Sequence, residues 1–168
     1  VYSGTTYDNI LRDMLRDEPL TISLDGEVQN ASLDIAMDPT WNVANLGVQK
    51  RRDKDHRLLA EIMSWFDVVA VQEVNDDLAG IHGVLAHLPG SYRLLFSDAS
   101  GNHERMTYVY DATRVRVLEE IGEIAPAPSS YRYLTLPGIT QRFAGFDRNP
   151  YLATFSAGDL TFSLVNVH

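Results

Sequence analysis

DVVAVQEV, residues 67–74, decides how this chain is read. Val68 to Val71 is an unbroken apolar run, the pattern of a strand buried on both faces rather than one. The run ends abruptly in Gln72 and Glu73. A carboxylate at the end of such a strand has two ordinary uses. It caps the following helix, or it holds a cation. Upstream, residues 52–66 carry Leu58, Leu59, Ile62, Met63 and Phe66 at helical spacing and predict an amphipathic helix. Before that, TWNVANLG (residues 40–47) reads as a strand running into a glycine-ended loop. Downstream, Leu78, Ile81, Leu85 and Leu88 predict a second helix over 76–88, stopped by Pro89-Gly90.

Strand patterns then come in series at 91–97, 105–111, 114–124, 149–156 and 160–167. A long loop, 125–148, interrupts them, and the last two form a hairpin around Ala157-Gly158. Helix–strand alternation followed by a strand meander predicts an α/β protein: a sheet covered by helices and packed on another sheet. This body begins at residue 34 and runs to 168. Residues 1–33 read as a separate N-terminal extension, with helical spacing at Ile10, Leu11, Met14 and Leu15 ended by Pro19. A short strand and a turn at Asp25-Gly26 follow.

With 168 residues the chain is long enough for one domain with a substantial core. No apolar run is long enough to span a bilayer. There is no cysteine, so disulfides and thiolate metal sites are excluded, and the compartment, secreted or cytoplasmic, stays open. The formal net charge of −9 excludes a broad basic surface for gripping phosphates. Local phosphate binding remains open where a divalent cation supplies the positive charge.

Polar residues gather at strand ends and in neighbouring loops: Asn42, Glu73, Glu104 with Arg105, Arg148 and His168. Carboxylate with amide oxygen suits a hard cation such as Mg²⁺. Carboxylate with histidine suits general acid/base work, and a half-buried arginine suits a phosphate oxygen. Each residue also has a plain structural use. Glu73 starts a helix, Asn42 makes a turn, Glu104 and Arg105 form a solvated pair, and His168 sits at a sheet edge. His56, His82, His87 and His103 are expected to be solvated or structural.

Five stretches in order, TWNVANLG at 40–47, DVVAVQEV at 67–74, NHERMTYVYD at 102–111, FDRNPYLATF at 146–155 and LVNVH at 164–168, resemble the endonuclease/exonuclease/phosphatase superfamily with its deoxyribonuclease I-like fold. The resemblance covers roughly residues 35–168. It implies a four-layer α/β sandwich, two sheets face to face and flanked by helices. It also implies hydrolysis of phosphate esters with a divalent cation, Mg²⁺ first, with Mn²⁺ and Ca²⁺ as alternatives. On this resemblance Glu73 is the main metal ligand, aided by Asn42. Asn42, Asn45 and Arg148 contact the substrate phosphate, Glu104 orients the catalytic histidine, and His168 is that histidine.

Two departures qualify the match. The family's GDFN-like and SDH motifs, which position the attacking water and supply a second histidine, are not found in these 168 residues. The resemblance therefore implies that the chain corresponds to the first half of a two-sheet enzyme. The strands after residue 91 would then present an apolar face to a second sheet from a missing C-terminal half or a second chain. In addition, the positions that read the duplex minor groove in nucleases of this type hold Ala44, Asn75 and Asn102 here. Duplex DNA cutting is thus disfavoured, and other phosphate-ester substrates, nucleic acid included, stay open. Two functions fit: a metal-dependent nuclease or phosphodiesterase, and a non-catalytic module binding a phosphorylated ligand or a protein.

Overall fold

The structure is a computed structural model, and it describes residues 22–24, 27–29, 37–47, 54–135 and 138–168. The chain divides into two compact units, Val1–Asp34 and Ile35–His168. In the first, β1 (Ile22–Leu24) and β2 (Glu27–Gln29) pair antiparallel. The helix expected near residues 8–18 and the turn at Asp25-Gly26 lie outside the described residues.

The second unit starts with β3 (Met37–Leu46), α1 (His56–Met63), β4 (Val68–Asn75) and α2 (Ala79–Leu85). It continues with β5 (Tyr92–Phe96), β6 (Glu104–Asp111), β7 (Arg116–Glu123), a 3₁₀ turn (Pro128–Tyr133), β8 (Tyr151–Ala157) and β9 (Leu160–Asn166). One sheet has the order β3-β4-β6-β5, so β4 is interior, with β3 parallel to it and β6 antiparallel. The other has the order β7-β8-β9, all antiparallel.

The apolar run of β4 is divided between two cores. Val69 and Val71 face α1 and α2 and pack with Met63, Ile81 and Val84. Val68 faces the second sheet with Met106, Tyr108, Ala153 and Phe155. Asp55 fixes the start of α1 by accepting from Arg57 N at 2.9 Å and Leu58 N at 3.1 Å. Both helices are shorter than their spacing predicted. Leu58, expected on the buried face, is 58% exposed. Ala60 takes the inward position instead, because a small residue lets α1 lie close on the sheet.

Among the described residues the inner face of β4 and β6 is covered rather than bare. The second sheet is present as three strands, and it covers β4 and β6 with Tyr151, Ala153 and Phe155. Three of the four expected layers are seen among the described residues. The outward face of β9 carries Thr161, Ser163 and Val165, all exposed, and Ser163 pairs at 2.9 Å with the hydroxyl of the buried Thr154.

Tyr108 ties the two sheets together. Its hydroxyl donates to the carbonyls of Tyr151 (2.9 Å) and Leu164 (3.0 Å), and the residue is fully buried. Burial pushes its pKa up, and Tyr92, Tyr110 and Tyr151 are pushed the same way for the same leading reason. A tyrosine whose folded pKa exceeds its unfolded value of 10.0 contributes stability that is intact below that pH and lost as pH rises above it. The guanidinium midpoint should therefore fall steeply above about pH 10, with tyrosinate absorbance appearing together with unfolding, and Tyr108→Phe should flatten the fall. Tyrosinate appearing near pH 10 with the fold intact would contradict this packing.

Candidate active site

Two irregularities in the β3–β4–β6 ladder build the site. Between Val71 and Val74 the pairing with β6 slips, so Gln72 and Glu73 both oppose Met106. Between Asn42 and Leu46 the pairing of β3 with β4 slips as well. Such bulges re-aim side chains at a sheet rim. The backbone shows how. Of five non-glycine residues with left-handed φ among the described residues, three lie here: Ala44 (53°), Asn45 (61°) and Glu73 (60°). Each of these conformations costs roughly 1–3 kcal/mol and persists only where the surroundings enforce it, which happens preferentially at functional sites. Close packing helps to hold the rim. A Cβ on Gly80 would meet Gly47 N at 2.8 Å, so only glycine lets the start of α2 approach the end of β3.

The bulges bring Asn42, Asn45 and Glu73 together. Asn42 Nδ2 donates to Glu73 Oε1 at 2.7 Å, and Asn45 N donates to Glu73 Oε2 at 3.0 Å. Asn42 Oδ1 accepts from Ala44 N at 2.8 Å and so closes the loop on itself. His168, beyond the end of β9, completes the group. Its Nε2 lies 3.2 Å from Glu73 Oε1 and 2.9 Å from Asn42 Nδ2.

Glu104 and Arg148 form a second pair. Arg148 Nε donates to Glu104 Oε2 at 2.6 Å, and Nη1 donates to Asp147 Oδ2 at 2.8 Å. Glu104 is 5% exposed, so this is no solvated surface pair. Arg105 is not its partner; it donates instead to Ser97 O at 2.6 Å. The hydrogen bond that Arg148 donates to Glu104 raises the Arg148 pKa above its ordinary value against the opposing effect of burial, with smaller contributions from the charges of Glu104, Asp147 and Glu73. The expectation that Glu104 orients His168 departs from the structure. The buried carboxylate is engaged by Arg148, and the imidazole sits on Glu73 and Asn42.

Reasoning from sequence missed the polar strut that seats His168. Asn166, 2% exposed, donates to Val71 O at 3.1 Å and Thr107 O at 3.2 Å. It also accepts from Gln72 Nε2 at 2.5 Å, and Gln72 in turn donates to Thr40 Oγ1 at 2.7 Å. This network spans the sandwich and fixes the end of β9 over the β3–β4 rim. Its signal was visible: Asn166 is the one amide in the apolar alternation of LTFSLVN, and Gln72 adjoins a fully apolar run.

Among the described residues, Glu73 is the carboxylate in direct contact with Asn42, Asn45 and His168. No group of three or more His, Cys, Asp or Glu side chains among the described residues is arranged to hold a metal. One carboxylate beside an amide fits Mg²⁺, which keeps several waters and uses one or two carboxylates.

This architecture, two sheets packed face to face with helices on one and a polar rim at β3–β4, defines an α/β sandwich of the deoxyribonuclease I-like type. Solved structures share it. An endonuclease/exonuclease/phosphatase from Bacteroides vulgatus aligns with a TM-score of 0.52 at 18% identity, over 76% of this chain and 49% of that one. A functionally unknown conserved protein from Enterococcus faecalis V583 aligns with a TM-score of 0.52 at 15% identity, over 77% of this chain and 51% of that one. The chain thus spans about half the length of the solved structures it matches. No family model matches the sequence. No curated protein matches it either.

Proposed function

We propose that this protein is a Mg²⁺-dependent phosphoesterase whose metal is held at Glu73. The observation that carries the reading is the convergence of Glu73, Asn42, Asn45 and His168 on one bulged, left-handed rim. The fold shared with the Bacteroides vulgatus endonuclease/exonuclease/phosphatase supports a phosphate-ester substrate.

In this reading Glu73, with Asn42 beside it, holds the cation. When bound, the cation neutralises phosphate oxygens and lowers the pKa of a coordinated water. Asn45 and Asn42 face the phosphate. Arg148 spends two of its five N–H groups on Glu104 and Asp147, and the remainder are available to a phosphate oxygen. Glu104 keeps that guanidinium charged and fixed. His168 Nε2, 2.9 Å from Asn42 Nδ2 and 3.2 Å from Glu73 Oε1, takes a proton from the attacking water and returns it to the leaving oxygen.

A second reading, a module that binds a phosphorylated ligand without turnover, is favoured by the engagement of Glu104 with Arg148 rather than His168. Hydrolysis of simple phosphate mono- and diesters, measured with Mg²⁺, with EDTA and after Mg²⁺ is restored, separates the two. Turnover that EDTA stops and Mg²⁺ restores supports the first. Phosphate binding with no turnover under any of these conditions supports the second.

A further inference from the structure

Residues between β7 and β8 line an open groove of about 610 Å³. Its walls include Ile124, Leu134, Ile139, Phe143 and Phe146, with Arg142 as the charged group. Five of the ten exposed large apolar residues among the described residues belong to this loop: Ile124, Tyr133, Leu134, Ile139 and Phe146. All of these but Tyr133 line the groove, and such a concentration on one concave surface marks a binding surface rather than scattered exposure.

The wall is built, not slack. Phe143 packs edge-on against Tyr131 at 5.1 Å and against Phe146 at 4.9 Å. Gly145 has a φ of 103°, and a Cβ there would meet Tyr131 Oη at 2.7 Å. At its base the loop is closed by bonds between the end of β7 and the start of β8. Ile124 N donates to Pro150 O at 2.8 Å, and Asn149 Nδ2 donates to Glu123 Oε2 at 3.1 Å. Phe146 is two residues from Arg148, so their Cα atoms are at most about 7 Å apart. The groove wall, at Phe146, therefore begins within about 7 Å, Cα to Cα, of the residue assigned to phosphate.

We propose that this groove binds the apolar organic group of the substrate, an aryl group above all, while Arg148 holds its phosphate. The inference rests on the phosphoesterase reading and narrows its substrate class. A net charge of −9 opposes a long polyanion, whereas an apolar pocket beside one phosphate site suits a small ester carrying a ring. Arg142 on the wall accommodates residual negative charge.

The test is calorimetric titration of the protein, in Mg²⁺, with two phosphonates whose C–P bond is not hydrolysed: methylphosphonate and 1-naphthylmethylphosphonate. The naphthyl compound should bind at least about tenfold more tightly, the advantage that one buried ring readily supplies. Ile139→Ser and Leu134→Ser, both at exposed wall positions, should reduce that ratio to below about threefold. Equal affinities in the wild type, or an unchanged ratio in both variants, would overturn the proposal. So would a sedimentation shift from dimer to monomer in the variants, which would make the groove an interface between copies. Arg148→Lys should weaken both phosphonates. If it weakens neither, the phosphate-site reading fails. If it weakens both while the two compounds bind alike, the groove reading alone fails.

Discussion

Glu73→Gln should lower Mg²⁺-dependent hydrolysis by about a thousandfold while leaving the thermal unfolding temperature within a few degrees of wild type. The amide keeps the shape of the side chain, and its oxygen still accepts one of the two donors now shared by Asn42 Nδ2 and Asn45 N. What it loses is the charge that a hard cation requires. Raising Mg²⁺ should recover part of the rate if the defect lies in metal affinity. Initial rates across a Mg²⁺ series, with circular dichroism melts of both proteins, check this. Unchanged turnover at limiting Mg²⁺ would remove Glu73 from the metal site.

Arg148→Met should be the most destabilising single change at the rim. It leaves the Glu104 carboxylate, 5% exposed, without the guanidinium that now lies 2.6 Å away. Removing one partner of a buried ion pair costs about 3–5 kcal/mol, because an uncompensated charge stays in a low-dielectric site. For a chain of this size that corresponds to a loss of roughly 10 °C in melting temperature. The double variant Glu104→Leu/Arg148→Met removes both charges and should recover most of the loss. Melting temperatures of the two single variants and the double variant decide the matter. A double variant no more stable than Arg148→Met would show that the pair is not coupled as its geometry indicates. Hydrolysis should fall in both, since neither retains the anion-binding group.

How much of this was legible in the sequence follows from the range of each interaction. The apolar run Val68–Val71 is a local signal, and the interior position of β4 follows from it directly. The strand-end positions of Asn42 and Glu73 made their meeting predictable, and the 2.7 Å contact has the expected partners. The Glu104–Arg148 pair joins residues 44 apart, and nothing in either neighbourhood selects arginine over histidine as the partner. The Gln72–Asn166 strut joins residues 94 apart across the sandwich, and only tertiary packing makes a buried amide a bridge rather than a defect. The left-handed turn at Ala44, Asn45 and Glu73 was hidden because none of these is glycine, the residue that normally announces positive φ. The second sheet was underestimated for a related reason. Strands β8 and β9 alternate between apolar and hydroxyl residues, and that pattern was assigned to a partner rather than to the inner face of the chain's own sandwich.

The central claim is that Glu73 anchors a divalent cation at the β3–β4 rim. Crystals of the protein soaked in Mn²⁺, with data collected at the manganese absorption edge, test it most directly. The account predicts one anomalous peak within about 2.3 Å of a Glu73 carboxylate oxygen, completed mainly by water and lost in Glu73→Gln. A peak elsewhere that survives the substitution, or no peak at a Mn²⁺ concentration that supports turnover, would contradict it.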